Sequence, residues 1–87
     1  MTDHIKFVDR GFIEFLLADL DVALTFMDVA ETTEFRGTAE RNHRNARNAY
    51  DMVIEKLREV TPTPAEQAKF DEKLVALRER LRAVGQL

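Results

Sequence analysis

The chain contains no cysteine, no serine and no tryptophan. Without cysteine there are no disulfides and no thiolate metal site, and the composition fits a reducing compartment. Without serine or cysteine, the two commonest side-chain nucleophiles are missing. Glycine occurs three times and never in a cluster, so no glycine-rich loop is available to cradle a phosphate. No run of about 18 uncharged apolar residues exists, because Asp19 and Asp21 interrupt the best candidate. The first ten residues carry charges every few positions and do not read as a secretory signal. These absences favour a cytoplasmic, non-catalytic protein that binds no cofactor. At 87 residues it is expected to form a single domain over residues 1–87, near the lower size limit for a core without covalent or metal staples.

What is present is helical. Phe12 to Phe35 is the most apolar stretch, and at about 100° per residue its apolar side chains cover roughly 240° of the helix wheel. A surface helix needs little more than ~100°. Only Glu14, Asp21, Thr25, Asp28 and Thr32 read as solvent-facing, so this helix requires neighbours on more than one side. It is expected over about residues 10–34. Residues 1–9 are ambiguous: Ile5 and Val8 continue an apolar stripe back from Phe12 and Phe15, with Thr2 available as a cap, but Gly11 opposes extension. Gly37 offers a left-handed stop and Thr38 a cap for a second helix over 38–60. Its seam is Ala39, His43, Ala46, Tyr50, Val53, Leu57 and Val60.

Thr63-Pro64-Ala65-Glu66 is the strongest local signal: a threonine cap, proline at the first helical position and glutamate three residues after the cap. The third helix is expected over 64–84, with Phe70, Leu74, Leu77, Leu81 and Val84 as its seam and Gly85 ending it. Short loops make sequence neighbours antiparallel, so the fold class is all-α, an up-down-up three-helix bundle.

Charge is unevenly distributed. From Asp9 to Glu34 seven acids face Arg10 alone, whereas Thr38 to Leu87 carries eight acids and ten bases. The acidic first helix is expected to attract the rest of the bundle. Hairpin geometry puts Arg44 level with Asp28, Arg41 with Glu31 and Arg47 with Thr25. That ion-pairing role outweighs the alternative for Arg41, Arg44 and Arg47, an anion contact to RNA or phosphate, because no aromatic is interleaved for stacking. Glu40 and His43 match a Glu-x-x-His metal spacing, but one motif alone does not assemble a site, and His4 is the only other histidine. Asp19 has apolar helical neighbours on all sides and is expected at an edge, protonated, or paired to Tyr50 or to Lys56, Lys69 or Lys73. A ligand-binding carboxylate is the less favoured reading.

Leu20 to Leu57 also resembles a tetratricopeptide-type helix pair. L-D-V-A-L-T-F-M-D-V-A-E-T-T is followed by N-A-R-N-A-Y-D-M-V-I-E-K-L; Phe26, Val29 and Ala30 fit the first helix, and Ala46, Tyr50 and Val53 fit the small-aromatic-small positions of the second. The loop is longer than that motif uses, and the helix-ending proline comes late, at Pro62. The whole chain resembles small uncharacterised bacterial three-helix proteins with the L-D-x-A-L-T-F and N-A-x-x-A-Y pattern, and it is similar in helix lengths to microtubule-interacting-and-transport domains. The likeness implies an interaction module and carries over no catalytic residue. Ile13, Leu16, Leu17, Leu20, Leu24 and Met27 suffice to meet the other two helices, which leaves Phe15, Asp19, Val22, Phe26 and Val29 as an adjoining interaction face. A homodimer covering that face with a second copy's first helix is expected, against a monomer with a wider internal core.

Overall fold

The computed structural model describes residues 10–87. The expectations for residues 1–9, including the helical extension, the Thr2 cap and any role of His4, lie outside the described residues. Three helices account for nearly all of the rest: α1 (Arg10–Thr32), α2 (Arg36–Leu57) and α3 (Pro64–Ala83). No strand occurs among the described residues, and the architecture is an all-α three-helix bundle in which α1 packs mostly on α2. No helix among the described residues is long and apolar enough to cross a membrane.

Helix α1 supplies half of the core. Ile13, Leu16, Leu20, Ala23, Met27 and Ala30 recur at three- and four-residue steps, and all are buried. Leu17 and Leu24, one turn-step to the side, are partly buried against this core. The facing row of α2 is built from small residues, with Ala46 and Val53 fully buried, so the two backbones approach closely. From α3, Phe70, Leu77 and Leu81 are fully buried and Leu74 is partly so. Val60 lies beyond the end of α2 and is buried in the connection to α3, so that loop contributes to the core.

The turn between α1 and α2 departs from the expected chemistry. Helix α1 ends at Thr32, two residues earlier than expected, and α2 starts at Arg36, ahead of Gly37 and Thr38. Two threonines close the first helix. Thr32 bonds back to the Asp28 carbonyl at 3.0 Å, and the Thr33 hydroxyl accepts the Phe35 N–H at 3.2 Å. Reversal is therefore complete before Gly37, which sits in the first turn of α2 without a positive φ. Thr38 does not cap; its hydroxyl accepts from Arg41 at 3.2 Å, while Phe35 occupies the cap position with no side-chain bond.

The start of α3 is built on its cap. Thr63 Oγ1 accepts the Glu66 N–H at 3.1 Å, and Glu66 Oε1 accepts the Thr63 N–H at 2.8 Å. Pro64 occupies the first turn, where its missing donor costs nothing. At the far end Gly85 takes φ 78°, the left-handed conformation that a side chain disfavours.

Candidate interaction face

The inter-helix ion pairs define which side of α1 is occupied. Lys73 reaches Asp21 at 2.5 Å, and Arg80 reaches Asp28 at 2.9 Å and Glu31 at 2.8 Å. Arg10 pairs with Glu66, extending the line to the start of α3. Every inter-helix ion pair among the described residues therefore joins α1 to α3. This corrects the expectation that Arg41, Arg44 and Arg47 answer the acids of α1. The cause is geometric, because Asp21, Asp28 and Glu31 lie on the flank of α1 that α3 covers. Burial of the Arg80 guanidinium works against its charge, but the hydrogen bonds it donates to Glu31 and Asp28 outweigh this and hold its pKa above the ordinary arginine value.

The arginine row of α2 has other engagements. Arg47 binds both carboxylate oxygens of Asp51 at 3.0 Å on its own helix and donates to the Gln86 carbonyl beyond α3. Arg41 holds only the Thr38 hydroxyl, and Arg44 is exposed with no ion pair among the described residues. Glu40 pairs with Arg36 at 3.7 Å and is exposed, whereas His43 is half-buried. No group of three potential metal ligands is assembled among the described residues.

Roughly 150° round α1 from its ion-paired flank lies the remaining apolar strip. Phe15, Val22 and Val29 are 54%, 46% and 41% exposed, values that few side chains of their size retain in a packed core. Phe26 is half-buried between them and the core, and Phe12 stacks on Phe15 with ring centroids 6.2 Å apart. Asp19 lies in the middle of this strip, half-buried, with no ion pair or side-chain hydrogen bond among the described residues. It sits at the edge of the core. The pairings considered for it do not form: Lys73 is engaged by Asp21, and Lys56 reaches Glu59 at 3.8 Å. Phe35, at the tip of the α1–α2 turn, is 71% exposed and lies beyond the Val29 end of α1.

A second row on the same side escaped sequence reasoning. Arg47, Gln86 and the α3 terminus mark the side of α2 that faces α3. Roughly 180° away on the wheel are Thr38, Asn42, Asn45, Ala49, Met52 and Lys56, at alternating four- and three-residue steps. All are half-buried except Asn45, which is exposed. The α1 residues Phe12, Phe15, Asp19, Val22, Phe26 and Val29 alternate in the same way. The signal was present as spacing, but the α2 row is polar and does not register as an apolar seam. Together the two rows line a groove between α1 and α2, on the face of the hairpin opposite α3. Such three-and-four alternation over about five turns is the pattern of a helix surface that receives another helix. No protein family, curated protein or solved structure matches this chain.

Proposed function

We propose that this protein is a small non-catalytic helical module that works by protein–protein contact and self-associates through the exposed strip of α1. The observation carrying this reading is the row Phe15, Val22 and Val29, each more than two-fifths exposed on a helix whose other large apolar side chains are buried or partly so. Covering the exposed half of three such side chains contributes on the order of 1 kcal/mol each, before the cost of association. The likeness of the α1–α2 pair to a tetratricopeptide hairpin supports the same class of role. Size-exclusion chromatography with light scattering tests it. The unchanged chain at micromolar concentration should run as a dimer, and the double variant Phe15→Ser, Val22→Ser should run as a monomer with unchanged helical circular dichroism. A double variant that keeps the size of the unchanged chain counts against the strip.

A second reading rests on Arg41 and Arg44, whose guanidinium groups carry no acid partner among the described residues. It makes α2 a contact for RNA or another phosphate-bearing molecule, with Arg47 mainly structural. Net charge −3 gives no general attraction to polyanions, which places this reading behind the first. Binding of a fluorescent oligonucleotide that weakens with salt, and is lost in Arg41→Gln, Arg44→Gln without loss of stability, would favour it.

A further inference from the structure

The open groove has two unlike walls. Of the five acids of helix α1, Asp21, Asp28 and Glu31 are taken up by α3, and Asp19 alone lies within the strip. Of the five bases of helix α2, Lys56 lies in the facing row and Arg41 beside it, while Arg47 is on the α3 side. Asp19 is left without an ion pair among the described residues on one wall, and Arg41 beside the other. The apolar strip runs along the α1 wall, and amides (Asn42, Asn45) along the α2 wall. Any occupant must therefore cover Phe15, Val22 and Val29 while meeting one carboxylate on the α1 side and amide donors on the α2 side.

Two symmetric ways exist for a second copy to do this. If the axis crosses the helices, α1 lies on α1 and α2 on α2. Apolar area is covered, but Asp19 then faces the other copy's α1 row, which holds no hydrogen-bond donor side chain. If the axis runs along the groove, each α1 lies on the other copy's α2. Apolar burial is non-directional and does not choose between these. The polar groups do: in the first arrangement the Asp19 carboxylate is buried against an apolar row that offers its oxygens no donor, whereas the α2 row offers the Asn42 and Asn45 amides.

We propose that a second copy occupies this groove with its two-fold axis parallel to α1 and α2, so that each α1 lies antiparallel on the other copy's α2 and the four helices form one core. The proposal rests on the self-association reading above and specifies its geometry. The helix ends Thr32 and Arg36 face each other across the turn. Hence Phe15 is level with Val53, Asp19 with Ala49 and Val22 with Ala46, and a two-fold axis along the groove keeps these levels. Phe15 then meets the second copy's Met52, Val22 its Asn45, and Asp19 lies between, within reach of the Asn45 amide. Glu14 comes level with the second copy's Lys56. The groove is self-complementary, the condition a closed two-fold interface requires.

The absence of native cysteine allows a direct test. Two single-cysteine chains, Val22→Cys and Asn45→Cys, differing in tag length, are mixed reduced and then oxidised at micromolar concentration. Both sites are exposed, and matching thermal melts of the reduced variants establish that they fold. The mixed Val22–Asn45 disulfide should exceed either self-linked product several-fold. Predominant linkage of Val22→Cys to itself overturns this geometry while leaving self-association standing. Absence of linkage, together with a monomer by sedimentation of the unchanged chain, overturns both and hands the groove to a different occupant.

Discussion

Thr63 and Glu66 decide where α3 begins, and their effect can be measured without disturbing the core. Each satisfies a backbone donor of the other at the helix start, so Thr63→Ala should cost about 1 kcal/mol in urea unfolding at fixed protein concentration. The Thr63 N–H, reinforced by Arg10, outweighs partial desolvation and holds the Glu66 carboxyl below the ordinary glutamate range. A carboxylate with a lowered folded pKa stabilises the fold fully above its unfolded value, and that contribution fades as the pH falls toward the folded value. Acidification below about pH 4.3, the ordinary glutamate value, should therefore lower the urea midpoint more in the unchanged chain than in Glu66→Gln. Arg78 presents the opposite case, since its Nε is buried with no hydrogen-bond partner. An unmade bond of this kind costs about 1–3 kcal/mol, so Arg78→Met should leave stability unchanged or raise it by thermal melting.

At the scale of elements, α3 is attached to α1 by a line of ion pairs and by three fully buried side chains, and these contribute unequally. Lys73, Asp21, Asp28 and Glu31 are substantially exposed or on the rim, where an ion pair contributes about 0–1 kcal/mol. Leu77 is fully buried, and truncation of such a residue costs about 2–5 kcal/mol. Leu77→Ala should destabilise several-fold more than Arg80→Gln, and equal effects would mean that the ionic line holds α3. This element was the most legible in the chain, because proline, cap and seam all point the same way. The α1–α2 turn was less so. Gly37 and Thr38 carry the usual stop and cap chemistry, yet Thr32 and Thr33 act first and local packing places the glycine inside α2. The acid–base match was legible in sign but not in address. Charge counts show that α1 needs bases, whereas the flank its acids occupy is set by how α3 crosses it.

For the molecule as a whole, the hairpin of α1 and α2 has two faces, and α3 covers one of them. The strip on the other was visible in the sequence as surplus apolar surface, since Phe15, Val22 and Val29 fall outside the arc that one bundle needs. Its second wall was hidden because Asn42, Asn45 and Lys56 look like ordinary solvated residues until the fold sets them beside the phenylalanines. Asp19 now has a definite setting: a half-buried carboxylate in the floor of that groove rather than the buried partner of Tyr50 or a lysine. Because the groove is lined mainly by apolar and amide side chains, association should persist as salt rises toward 1 M, where ionic screening is short-ranged but apolar burial remains. Sedimentation equilibrium of the unchanged chain at micromolar concentration and moderate salt tests the central claim most directly. A single species of twice the chain mass is the predicted result; a compact monomer across the accessible concentration range would contradict it.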